Sequence, residues 1–242
     1  MSKGKVLIVM SAAAVWERTD GSKYPTGYWA EELAAPHAKF EEAGYAVDFA
    51  SPGGVLQPLD EHSADPAVAG EDCGRYVDHA QQALKAFGPL LKLDEVDIDD
   101  YVAVVLPGGH GPVVDLFEDA DLGRLLARAD KDGKLIGAVC HGPAALLRAK
   151  EADGGWLFAG RRMTAFTDEE ERMFGTAEGA PWLLASRLRE MGAIHSGGAA
   201  YEEYTVCDGN LFTGQNPASS TRMAENMIAA LDRRARGAAA SR

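Results

Sequence analysis

Cysteine is scarce in this chain of 242 residues: Cys73, Cys140 and Cys207 are the full set, and no two form a C-x-x-C pair. Any single disulfide would leave one thiol over, which excludes a disulfide framework and suits a reducing compartment, so a cytoplasmic location is expected. Basic charge is also short. Lys and Arg number 24 against 37 Asp and Glu, a net charge of -13, which argues against nucleic acid or an anionic membrane surface as a partner. Only Asp232-Arg233-Arg234-Ala235-Arg236 is locally basic, and it is expected to be a frayed end. No apolar run reaches the length needed to span a bilayer. Lys3 and Lys5 ahead of Val6 to Met10 imitate a signal peptide, but an apolar core of about five residues is short for one and fits a buried first strand. No His, Asp and Glu spacing matches a closed zinc site, and no phosphate-binding glycine motif occurs, so neither metal nor cofactor is expected. What is there, 46% hydrophobic and 25% charged residues, is the composition of an ordinary globular protein with room for a large core.

The chain is organised around Leu135 to Leu147. An apolar run that reads as a buried strand stops at Cys140, and Gly142-Pro143 opens an apolar segment with helical spacing. A strand, a sharp turn carrying one nucleophilic side chain and then a helix form a nucleophile elbow, here with Cys for Ser and Ala138 for the first Gly of G-x-S-x-G. A sulfur at the first turn of a helix lies near unpaired N–H groups and the positive end of the dipole. Its pKa is expected to fall from about 8.5 into the range of roughly 3.5–7.5.

The remaining pattern alternates strands and helices. Val6 to Met10 reads as a strand, Trp16 to Gly27 as a loop and 28–43 as a helix with Leu33, His37 and Phe40 on one face, Pro36 marking a kink or restart. Ala46 to Ser51 is a second strand, and 57–100 an irregular excursion with one helix around 76–87. Tyr101 to Leu106 and Leu135 to Val139 are buried strands joined by a helix over 116–131. Arg162 to Phe166 reads as a short strand, Thr167 as a helix cap, 182–191 as a helix, Tyr201 to Thr213 as a hairpin and the segment after Asn216-Pro217 as a last helix. This predicts one α/β domain over 1–242, a doubly wound, mostly parallel sheet with helices on both faces. Sites in such sheets lie beyond the carboxyl ends of strands, where Gly27, Gly109 and Cys140 would meet.

Three groups around the thiol could do chemistry. The amides of Gly109, after Pro107-Gly108, and of His141 are placed to form an oxyanion hole. His141, next to Cys140, needs an orienting carboxylate, and Asp168, Glu169, Glu170 and Glu171 all offer one. Glu31 and Glu32 open the first helix at the same sheet edge, and one of them is expected to face the sulfur as an acid or base.

These residues are similar to the ThiJ/PfpI superfamily, whose flavodoxin-like fold is shared with class I glutamine amidotransferase domains. The match rests on Thr26-Gly27 with Glu32 and Pro36, Asp48 to Pro52, Asp60 with Ser63, Pro107-Gly108-Gly109-His110-Gly111, Ala138 to Pro143, Phe166-Thr167-Asp168 and Thr213 to Ser220. It most resembles the heat-shock chaperone branch of glutathione-independent glyoxalases, also called glyoxalase III or D-lactate dehydratase. The resemblance implies Cys140 as nucleophile, His141 as its partner and Glu32 as acid/base. It also implies Glu171 as third member, five residues after Phe166, and places His110 with Gly109 and His141 among the substrate-binding groups. Some branch members use Asp for the third role and carry an insertion with a metal site; no such ligand cluster is visible here, and no metal is carried over. A small reactive dicarbonyl substrate, a homodimer, and chaperone clients or deglycase activity are also implied.

The implied reaction adds the Cys140 thiolate to methylglyoxal, moves protons through an enediol with Glu32 or His141 as base, and releases lactate with water. A glutamine amidotransferase would need a His followed two places on by an acid, and none of the six histidines has that spacing. A cysteine peptidase could use the same thiol, and a holding chaperone or oxidation sensor could use Cys140 without this catalysis.

Overall fold

The computed structural model describes residues 2–240; of the expected 1–242 span, Met1, Ser241 and Arg242 lie outside the described residues. After β1 (Lys5–Val9) come a short antiparallel pair, β2 (Val15–Glu17) and β3 (Lys23–Pro25), helix α1 (Ala30–Glu42) and β4 (Ala46–Ser51). Next are α2 (Pro66–Ala69), α3 (Cys73–Phe87), β5 (Leu91–Lys92), β6 (Tyr101–Leu106), α4 (Ala120–Lys131) and β7 (Leu135–Val139). Beyond Cys140 follow β8 (Arg162–Met163), α5 (Asp168–Phe174), α6 (Leu184–Glu190), β9 (Ile194–His195), β10 (Thr205–Asp208), β11 (Leu211–Gly214) and α7 (Ser220–Ala240).

Seven strands form one sheet in the order β10-β11-β7-β6-β1-β4-β5. Every neighbouring pair is parallel except β10 with β11. The central run β4-β1-β6-β7-β11 has the flavodoxin-like order, in which ligands bind where the order reverses, between β1 and β6.

The period of two along each strand divides the apolar residues between two cores. Leu7, Val9, Val104, Leu106, Ile136 and Ala138 pack toward Leu122, Leu125 and Leu126 of α4. Val6, Ile8, Val105, Leu135 and Val139 pack toward Leu33 and Phe40 of α1 and Met223 and Met227 of α7. Each such fully buried Leu, Ile or Phe stabilises the fold by roughly 1.5–3 kcal/mol. Strands covered on both faces read as unbroken apolar runs, which is why β1, β6 and β7 were the plainest elements in the sequence.

Several expectations need correction. The stretch 16–27 contains the β2–β3 pair instead of only loop, and the 57–100 excursion returns β5 to the sheet edge beside β4. Helix α1 runs unbroken through Pro36. Proline removes one ladder bond, here the donor that would meet the carbonyl of Glu32. The helix expected from 116 starts at Ala120, where the Asp119 side chain caps the N–H of Leu122, and the strand expected over 162–166 stops at Met163. After the elbow the chain forms a 3₁₀ helix, Gly142–Arg148, instead of an α-helix.

Candidate active site

Cys140 stands at the carboxyl end of β7 with φ 59°, a conformation that costs a non-glycine residue about 1–3 kcal/mol and persists only where the surroundings hold it. They do so on both sides: its N–H donates to Gly214 O at 3.0 Å and its carbonyl accepts from Phe166 N at 2.9 Å. Gly142 follows because a Cβ there would lie 2.0 Å from Leu106 O. Gly109, at φ +71°, has room for no side chain either, since a Cβ would meet Gly27 O at 2.1 Å. The loops after β3, β6 and β7 therefore interlock at the switch point, as the sequence led us to expect.

Two buried carboxylates, Glu32 and Glu171, bracket the Cys140–His141 pair. Glu32, on the first turn of α1, is fully buried; its Oε2 accepts from the Gly108 N–H at 2.7 Å, and the Cys140 thiol is its other hydrogen-bond partner. Burial raises its pKa to about 8 against the smaller, opposing pull of Cys140 and the Gly108 amide. The neighbouring Glu31 is half-buried and reaches the wall of the same cavity. Burial and the Glu32 charge together push the Cys140 thiol well up. This reverses the expected lowering, because the sulfur is enclosed and lies beside carboxylates.

On the other side, the His141 Nδ1 lies 3.3 Å from Cys140 Sγ and its Nε2 2.7 Å from Glu171 Oε2. Burial, then His110, lowers the His141 pKa, so the ring is neutral with Nε2–H donating to the carboxylate and Nδ1 open toward sulfur. His110 Nε2 donates to the second Glu171 oxygen at 2.9 Å, and Thr176 Oγ1 donates to that oxygen as well. Burial alone would raise the Glu171 carboxyl; the two histidines, His141 foremost, hold it well below the usual carboxylate range. Among the four acids left open by the sequence, Glu169 is exposed, Asp168 pairs with Arg189 and Ser186, and Glu170 turns away from His141.

Glu170 closes a capping box with Thr167 and accepts from Tyr201 N–H and from the Gln215 and Asn216 side-chain amides. This fixes the cavity wall formed by Tyr201 and 216–218. The T-x-x-E spacing was the available signal for it. Trp16 stacks on His110 at 5.0 Å between centroids, and His110 lies 4.2 Å from His141; nothing in the linear pattern marked that hairpin. Cys140, Gly109, His110 and His141 line a cavity of about 490 Å³, with Tyr201 and 216–218 in its wall.

Two groups could ligate a cation among the described residues: His110, His141 and Glu171, already joined by hydrogen bonds, and His37, Glu41 and His79. In the second, His37 Nδ1 is 3.0 Å from His79 Nε2 and 3.3 Å from Glu41 Oε2. The sequence showed no ligand cluster because α1 and α3 meet only in the fold.

The DJ-1/PfpI family model matches residues 26–230. The chain belongs to this family. It is 31% identical to the glutathione-independent glyoxalase HSP31 of Saccharomyces cerevisiae, over 96% of this chain and 99% of that one. To glyoxalase 3 of Candida albicans it is 29% identical, over 94% and 98%. The crystal structure of glyoxalase III from Candida albicans superposes with a TM-score of 0.79 at 27% identity, covering 94% and 97% of the two chains. The ThiJ/PfpI resemblance and the flavodoxin-like fold both stand.

Proposed function

We propose that this chain, folded as one domain, is a glutathione-independent glyoxalase that converts methylglyoxal to lactate. The observation that carries this reading is the Cys140–His141 pair set between two buried carboxylates of opposite proton affinity. The names of its family relatives support the same reaction.

The Cys140 sulfur attacks the aldehyde carbon while the proton shared with Glu32 passes to the carbonyl oxygen, giving a hemithioacetal. Glu32, now a carboxylate, removes the hydrogen on that carbon, and the resulting enediol is reprotonated at the neighbouring carbon to give a lactoyl thioester. A raised pKa suits a group that must release and regain a proton near neutrality. His141, oriented by Glu171, then takes a proton from the water that cleaves the thioester, and the N–H groups of Gly109 and His141 carry the oxyanion. The aldehyde carbon is oxidised and its neighbour reduced within one molecule, so no external oxidant or reductant is needed. Among the described residues, no Lys or Arg lines the cavity, which leaves the carboxylates of glutathione without a cationic partner. A cytoplasmic homodimer belongs to the same reading, and sedimentation of the purified chain tests the dimer.

Lactate formation from methylglyoxal without added thiol is the test. Wild type is expected to turn over and Cys140→Ala to lose activity; full activity in Cys140→Ala would overturn the proposal.

A further inference from the structure

We infer that the site prefers neutral 2-oxoaldehydes with a bulky apolar substituent, aryl glyoxals above all, over methylglyoxal. This rests on the glyoxalase reading and extends it to the substrate's side group. Cavities of roughly 300–1,000 Å³ enclose drug-sized ligands. The cavity here, about 490 Å³, is far larger than methylglyoxal with its single methyl substituent.

The lining away from the sulfur is mostly apolar. Phe166 and Phe174 stand in the wall, and Val68 of α2 and Met173 of α5 complete it. Val68 and Met173 are 45% and 60% exposed and belong to neither core of the protein. Their apolar surface is therefore available to a ligand at no expense to the fold.

Most polar groups in the wall are already committed, the indole N–H of Trp29 being the one buried donor there without a partner among the described residues. Asn216 Nδ2 donates to Glu170 and to the Glu202 carbonyl, its Oδ1 accepts from Ser219, the Tyr201 hydroxyl donates to the Glu170 carbonyl, and His62 Nδ1 bonds to Asp60. A polyhydroxylated side group would find few partners there, and a binding site penalises polar groups it leaves unpaired. Anions fare worse: among the described residues the lining has no Lys or Arg and includes Glu31. The chemistry that fits is a dicarbonyl head at Cys140 and a flat or branched hydrocarbon toward Val68 and Met173. With phenylglyoxal the product is mandelate, formed by the same internal transfer with one water consumed.

Initial rates with methylglyoxal, phenylglyoxal and 4-carboxyphenylglyoxal, with the hydroxy acids quantified by chromatography, test this. Expected is a kcat/KM for phenylglyoxal at least about tenfold above methylglyoxal, mainly through KM, and at least about tenfold above the carboxylated analogue. The doubly substituted Val68→Thr/Met173→Gln protein, altered only at exposed positions, is expected to lower the phenyl-to-methyl ratio at least about threefold. Methylglyoxal turnover with a phenyl-to-methyl ratio below about 10, or a ratio the double variant does not change, would overturn the inference and leave the glyoxalase reading intact. Turnover of none of the three aldehydes would overturn both.

Discussion

Glu32 and Glu171 are the same residue type and both buried, one beside the Cys140 thiol and the other behind its His141 neighbour, yet they hold protons with opposite strength. Glu32 has only the Gly108 amide and the Cys140 thiol as partners, and burial outweighs both, raising it to about 8. Glu171 has two imidazoles and a hydroxyl on its oxygens, and they outweigh the same desolvation. Burial sets the direction only where partners are few. In this site it separates a carboxyl that can carry a proton to substrate from one that serves as a fixed anion.

Breaking the centre common to both sides has the largest expected effect: Cys140→Ala is expected to lower kcat/KM for methylglyoxal by at least about 10³-fold, measured as lactate formed. Glu32→Gln removes the mobile proton and is expected to lower kcat by about 10²–10³-fold. Its stability should move the other way. An acid whose folded pKa is raised from 4.5 to about 8 gives stability that is present below 4.5 and lost as pH rises through about 8. The melting temperature of Glu32→Gln relative to wild type is therefore expected to rise across that window, and a flat difference would contradict the assignment.

Glu171→Gln, on the fixed side, is expected to cost about 10–100-fold in kcat, the scale of losing a group that orients another. The sign of its stability effect is opposite. A depressed carboxyl stabilises above the ordinary 4.5 and loses that contribution as pH falls, so the deficit of Glu171→Gln should be greatest near neutrality and shrink on acidification. The smallest effect is expected from Thr167→Ala, which opens the capping box behind Glu171; about 1 kcal/mol, or a melting temperature lower by about 2–4 °C, is the expected loss in thermal denaturation.

How far the sequence could be read follows from the range of the forces involved. Elements set by local pattern were legible: the buried runs at β1, β6 and β7, the Asp208 to Leu211 turn and the Thr167 cap. Cys140 was legible as an elbow because a corner between small residues, Ala138 and Gly142, is a local signature. The sign of its pKa shift was not, since that depends first on how deeply the fold buries the sulfur and then on Glu32 arriving from a helix more than a hundred residues away. Local acidity could not choose among Asp168, Glu169, Glu170 and Glu171 either; the fold separates them by which partner each side chain meets. The β2–β3 pair and its Trp16 stack on His110 are too short to leave a periodic signal. The same holds for β5, two residues long, which only its neighbour β4 makes a strand.

The pH dependence of kcat/KM for methylglyoxal, compared in wild type, Glu32→Gln and Glu171→Gln, tests the division of labour between the two carboxylates most directly. Wild type is expected to rise with pH through an ionisation near 8, as the thiol and Glu32 come to share a single proton. That step should persist in Glu171→Gln and shift or vanish in Glu32→Gln. An unchanged profile in Glu32→Gln would contradict the account.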